Sequence, residues 1–292
     1  MTREEQAALV AWLRQPGVVW SAVTEQLEEC GSVQKAAAGQ APAQGSLFEV
    51  APPDGPDEAA RDIERWERTG IRMVSVLDAE YPSNLRMIYQ HPPVLFMRGA
   101  TDERDATSVA VVGTRRPAPR GIDQARQLAA GLAANDIPVI SGLAAGIDTA
   151  AHTAALTAGG RTVAVIGTGI DRVYPPQNAA LQEEVAAKGL VISQFLPGSP
   201  PTKASFPMRN AVMSGYALAT VVVEASDHSG SRIQARLALQ HGRHVFLMCT
   251  LLEHQWARDY AVRPGVTVVE TAADVLAGLQ RLASESTDLI WA

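Results

Sequence analysis

The chain of 292 residues is poor in cysteine, with Cys30 and Cys249 as its two. They stand too far apart in sequence to suggest a disulfide framework, and neither belongs to a metal-ligand spacing. No apolar run approaches the roughly 18 residues that a bilayer span requires, so no membrane partner is expected. The opening residues, Met1-Thr2-Arg3-Glu4-Glu5, lack the basic-then-apolar order of a secretory signal. A cytoplasmic protein with reduced thiols is expected. His-Glu-x-x-His is absent, and so is a complete Gly-x-Gly-x-x-Gly fingerprint. These gaps argue against metal hydrolysis and hydride transfer, and no cofactor is expected.

What is present is ordinary for a globular chain: 47% hydrophobic and 19% charged residues exclude disorder of the whole. The net charge of −6 is unevenly spread. Residues 1–104 carry 10 lysines and arginines against 16 aspartates and glutamates, whereas residues 113–243 carry 12 against 8. The middle of the chain is net basic, and a local field governs ligand capture more than the total does.

Residues 4–37 have helical character, residues 38–57 read as an Ala/Pro/Gly/Gln linker, and a helix is expected over 57–69 with a strand at Ile71–Val76. We therefore divide the chain into a small helical domain over 1–40, linker and helix over 41–70, a main domain over 71–283 and a tail over 284–292. From residue 107 continuous apolar strands alternate with Ala/Leu helices. The strands fall at Ser108–Val112, Val139–Ser141, Thr162–Gly167, Leu190–Ser193, Thr220–Glu224, His244–Met248 and Val266–Val269. Helices are expected near 120–135, 147–158, 177–187, 207–216, 230–241 and 271–282. Strands apolar on both faces, separated by helices, predict an α/β Rossmann-like, doubly wound, mainly parallel sheet.

In such a sheet the ligand lies beyond the carboxyl ends of the strands, so the loops there carry the chemistry. One is Gly113-Thr114-Arg115-Arg116-Pro117, with an arginine where a dinucleotide turn needs glycine. A second, Ser141-Gly142-Leu143-Ala144-Ala145-Gly146-Ile147-Asp148, is small enough to let a ligand approach its backbone. Asp148 and His152 share a helix face there, and a structural hydrogen bond between them is expected. A third, Gly167-Thr168-Gly169 through Pro175-Pro176, lacks the last glycine of a phosphate turn. The fourth is the most telling. It runs from Lys203 and Ser205-Phe206-Pro207-Met208-Arg209-Asn210 through Val221-Val222-Val223-Glu224-Ala225 to Ser229-Gly230-Ser231. Pro207 suits a first helical turn, which sets free N–H groups beside a guanidinium, an amide and an aromatic face. That inventory suits a ligand bearing phosphate and base. Glu224 is expected to pair with Arg209 or with a helix N-terminus.

At these residues the chain resembles the DNA-processing protein A family (DprA, or Smf). The match runs in order through Tyr81-Pro82, Pro92-Pro93-Val94-Leu95-Phe96, Gly113-Thr114-Arg115, Ser141 to Asp148 with His152, Tyr174-Pro175, Phe206-Pro207, Arg209-Asn210 and Ser229-Gly230-Ser231. The resemblance implies a cytoplasmic homodimer that binds single-stranded DNA, protects it in natural transformation and loads a RecA-type recombinase. It carries DNA contact to Arg115, Lys203, Phe206, Arg209 and Asn210. With the loop readings above, Gly113, Thr114, Ser141, Gly142, Ser229 and Gly230 complete the expected DNA and phosphate site. Two departures stand out. Ala211 follows Asn210 where the family usually repeats an arginine, and Cys249–Tyr260 replaces a Pro-Gly loop. The end at Ala292 leads to the expectation of a shortened member without the family's winged helix.

A nucleotide-sensing domain of a defence or stress system is the alternative, and a nucleotide N-glycosidase is a third reading. The glycosidase pattern is weakened by Ser229-Gly230-Ser231-Arg232, which supplies neither doubled glycine nor downstream glutamate. No catalytic residue is assigned, and a non-enzymatic protein is expected. Leu252, Trp256 and Tyr260, four apart, predict an apolar helical stripe that covers either its own sheet or a partner.

Overall fold

The computed structural model describes residues 1–38, 55–227 and 229–290. Apart from its ends, the expected linker lies outside the described residues. Three helices, α1 (Arg3–Leu13), α2 (Trp20–Cys30) and α3 (Val33–Ala38), precede α4 (Pro56–Arg68). Thr2 and Glu5 close α1 reciprocally, each side chain accepting the other's backbone N–H. Pro56 opens α4, which has Asp57 and Glu58 in its first turn and Arg65 and Arg68 in its last, the order its dipole favours. An Arg14–Asp62 ion pair of 2.5 Å links α1 to α4. Thr24 donates to the His91 carbonyl at 3.0 Å, and the His91 ring meets Glu28 at 3.0 Å. The helical part is thereby fastened to the segment that follows α4, and its apolar side chains join the main core.

That segment holds β1 (Arg72–Ser75), the single turn α5 (Ser83–Arg86) and β2 (Val94–Gly99). The main domain continues as β3 (Val109–Val112), α6 (Pro119–Ala134), β4 (Val139–Ser141), α7 (Ile147–Thr157), β5 (Thr162–Val165), α8 (Ala179–Lys188) and β6 (Leu190–Ser193). Then come α9 (Ser205–Tyr216), β7 (Ala219–Val222), α10 (Gly230–Gln240), β8 (His244–Met248), α11 (Gln255–Ala261), β9 (Val266–Val269) and α12 (Ala272–Ile290). The sheet order is β1-β2-β6-β5-β4-β3-β7-β8-β9. All pairings from β6 to β9 are parallel. Every residue of β3, β5, β6 and β7 is buried, which is why these strands read as unbroken apolar runs.

The doubly wound expectation holds. The chain winds outward from β3 to β6 and then returns to place β7 on the other side of β3. This reversal parts the loops after β3 and β7 and opens a crevice at the carboxyl edge. Two features differ from expectation. β2 was not foreseen as a strand; it pairs antiparallel with both β1 and β6 and so extends the parallel sheet. The 249–260 segment is a 3-10 turn, Cys249–Glu253, followed by α11, so Leu252 does not share a helix with Trp256 and Tyr260. Those two rings are buried and pack edge to face at 5.7 Å. Trp256 and Tyr260 belong to the chain's own core.

Candidate nucleic-acid interface

The crevice divides into two adjoining pockets. The larger, about 330 Å³, lies between the Gly113–Arg115 turn, the first half of α9 and the Ser229–Ser231 start of α10. The smaller, about 150 Å³, lies over Gly142, Ala144, Ala145 and Gly167 and is walled by Tyr174 and Phe206. Arg115, Ala144, Phe206 and Arg209 border both.

The loop after β4 makes room for this arrangement. It turns through Leu143 at φ 53° and Gly146 at φ 86°. Gly142 admits the Arg209 guanidinium, since a Cβ on Gly142 would lie 1.2 Å from Nη1. Arg209 is 6% exposed. Its Nη1 donates to the Val165 carbonyl at 3.1 Å and stands 4.0 Å from Asp148 Oδ2, while Nε finds no acceptor among the described residues. The same Asp148 oxygen accepts the N–H groups of Gly142, at 3.1 Å, and Ala144, at 3.4 Å. Burial pushes the Asp148 carboxyl up and the Arg209 guanidinium down, and their mutual attraction opposes both shifts. A permanent cation thus sits at the base of the crevice with little hydration to lose on meeting an anion.

Phe206 is half-buried and lies between Arg115, whose Cζ stands 4.9 Å from the ring centroid, and Tyr174, at 5.6 Å. The exposed Arg115 is therefore held against an aromatic face. Asn210 donates to the Gly230 carbonyl at 3.4 Å and ties α9 to the start of α10. Ser229 caps α10 by accepting from Ser231 N–H at 3.2 Å.

Of the residues expected at the site, Gly113, Thr114, Arg115, Phe206, Arg209, Asn210, Ser229 and Gly230 border the larger pocket, and Gly142 borders the smaller. Ser141 borders neither; it is fully buried and donates to the Val111 carbonyl at 2.7 Å, supporting the floor from beneath. Lys203 is exposed and outside both. Glu224 takes the second of its two expected states, accepting the Ala118 N–H at the start of α6 at 3.1 Å. The expected Asp148–His152 hydrogen bond is not made. His152 Nδ1 meets the Thr162 hydroxyl at 2.7 Å, and burial holds its pKa down to about 3. Helical spacing put the two on one face, but Asp148 reaches back to the loop amides and His152 into the sheet. Ala144, in the loop expected to admit a ligand to its backbone, borders both pockets, whereas Tyr174 and Gln234 were left out of the expected site. The signals for Tyr174 were its place in the loop after β5 and the Tyr174-Pro175 stretch of the family resemblance.

Residues 72–280 match the model of the family described as DNA recombination-mediator protein A. The chain belongs to that family. The protein Smf of Synechocystis is 36% identical over 223 residues, 74% of this chain and 56% of that protein, so the match spans little more than half of this relative. The crystal structure of DNA processing protein A from Streptococcus pneumoniae superposes with a TM-score of 0.74 at 32% identity, covering 95% of this chain and 98% of that one. The Helicobacter pylori DNA processing protein A, solved for its single-stranded-DNA binding mode, superposes with a TM-score of 0.64 at 26% identity, covering 72% and 96%. Among the described residues no helix is long and apolar enough to cross a membrane, and no cluster of three metal-ligating side chains occurs.

Proposed function

We propose that this protein binds single-stranded DNA at the crevice beyond β3, β4, β5 and β7 and acts as a recombination mediator rather than an enzyme. One observation carries the reading: Arg209 is buried, cationic and short of acceptors at the bottom of a crevice whose wall is an arginine-backed phenylalanine. Cations meet the phosphates, the ring and small-residue floor meet the base, and a recess within the sheet edge takes an unpaired nucleotide but not a stacked pair. The backbone of Gly113, Thr114 and Gly230 and the Ser229 hydroxyl add neutral donors, and exposed Lys203 extends the positive approach. The single-stranded-DNA mode of the Helicobacter pylori relative supports this assignment. Loading of a RecA-type recombinase, a role in transformation and assembly as a homodimer follow from the family and belong to the same proposal.

The small-ligand size of the larger pocket supports one competing reading, a sensor of free nucleotides. Titrating fluorescent oligo-dT, the matching duplex and free nucleotides separates the two. The strand should bind best, and its affinity should fall as salt rises. Phe206→Ala should weaken it by about 1–3 kcal/mol with little change in melting temperature. Equal binding of duplex and strand, or tight binding of free nucleotide alone, overturns the reading.

A further inference from the structure

A groove of about 580 Å³ lies where the helical part meets α9 and the end of α10, and it shares no bordering residue with either crevice pocket. Val19, Tyr89 and Met208 border it, and Met87 stands two residues before Tyr89. Among the described residues these are four of the seven large apolar side chains left in solvent. Their display is built into the fold. The buried His91 ring is held between the Ile88 carbonyl at 2.9 Å and Glu28 at 3.0 Å. Gln90 beside it takes φ 60°, which a residue other than glycine adopts at a cost. The turn so fixed holds Tyr89 outward at 77% exposure.

The polar rim narrows the choice of occupant. No Asp, Glu, Lys or Arg borders the groove, and burial and the nearby Arg243 hold the His241 imidazole below its ordinary pKa. Gln194 also borders it, 7% exposed, and its Nε2 has no acceptor among the described residues. A buried amide donor is costly until something accepts from it. An uncharged, extended peptide with apolar side chains and free carbonyls answers both features, whereas a phosphate or a charged partner finds no counter-charge. The chain carries such a peptide close by. Residues 39–54, outside the described residues, hold Leu47, Phe48 and Val50 as their large apolar side chains, mainly amid Ala, Pro, Gly and Gln. Trp20, which borders the groove, donates to the Leu13 carbonyl at 3.3 Å, and the next residue, Arg14, pairs with Asp62 at 2.5 Å. Gly55, at the head of α4, is about two turns from Asp62. Val50 is five residues from Gly55, a reach of roughly 17 Å when extended.

We propose that Leu47-Phe48-Glu49-Val50 docks in this groove of its own chain, against Tyr89 and Met208, with a backbone carbonyl accepting from the Gln194 amide. α9 then serves two surfaces: Phe206 and Arg209 face the crevice, while Met208 and Ala211 hold the connector between α3 and α4. The helical part gains a second tie to the main domain besides the one through His91 and Glu28.

Two measurements on the full chain test the docking. Chymotrypsin should cut after Leu47 and Phe48 at least about tenfold faster in Tyr89→Ser and in Met208→Ser than in wild type, because cleavage follows the undocked population. Both positions are exposed, so the melting temperature should hold. With p-benzoylphenylalanine in place of Tyr89, irradiation should join position 89 to residues 46–50 of the same chain. Leu47→Ser combined with Phe48→Ser should remove that link. Equal cleavage of wild type and both variants, at an unchanged melting temperature, overturns the proposal. A link from position 89 that joins two chains, or that falls outside 46–50, gives the groove another occupant and overturns it as well.

Discussion

Gly142→Ala is the most incisive perturbation of this crevice. Gly142 does not have positive φ, so alanine costs little in backbone conformation, and the whole effect must come from its methyl group. That methyl would lie 1.2 Å from Nη1 and 2.2 Å from Cζ of Arg209. The atoms met are the end of a long side chain, so the guanidinium leaves its seat and the loop stays. Leaving means losing the Val165 carbonyl and separating from Asp148, now 4.0 Å away and equally buried. Two unit charges at that distance attract by about 4 kcal/mol at the effective dielectric of a protein. Breaking a buried pair costs about 3–5 kcal/mol when one charge is stranded. We expect Gly142→Ala to cost about 3 kcal/mol in urea unfolding and to abolish strand binding. In an Arg209→Met background the same alanine should cost under about 1 kcal/mol, because the space it needs has been vacated. An equal cost in both backgrounds would refute the reasoning, for Gly142 would then matter for something other than the passage of Arg209.

Stability should fall as pH drops below about 6.5, by up to about 1.4 kcal/mol per pH unit, because unfolded His152 takes a proton there while the buried imidazole refuses one until about pH 3. The sign is that of a depressed folded pKa: acid favours the unfolded chain. His152→Gln should flatten the slope between pH 6 and 4 in urea melts (roughly, within the window set by the two values). Trp256→Ala should cost about 3–5 kcal/mol and leave the mass by light scattering unchanged, because the indole is core.

The parallel part of the fold was legible because its inner strands, β3 to β7, are buried on both faces and its helices are periodic. Even the bounds of β4, β6, β8 and β9 follow from the sequence. β2 was not legible: Val94-Leu95-Phe96-Met97 follows two prolines, stands outside the strand–helix alternation and owes its place to β6. The loops that build the crevice were found from where they fall at strand ends. What each side chain touches was not, since Asp148 and His152 are neighbours along a helix yet bond to different loops and strands. Tyr174 escaped because a single tyrosine in a proline-rich turn carries no periodic signal, and only the fold brings it to Phe206.

The insertion of β2 beside β6 has a consequence for how the chain is made. Phe96 pairs with Ser193, so nearly a hundred residues must leave the ribosome before β2 meets its inner neighbour. Until then β1 is the one strand available to pair with β2, whose residues Val94 to Met97 will end with no solvent contact at all. A ribbon of two strands is barely stable in water, and its open apolar edge invites the wrong partner. Synthesis of this protein therefore passes through a stretch in which its most buried early strand is also its most exposed, and a chaperone, or the helices α1 to α4 packed beside it, must shelter it until β6 emerges.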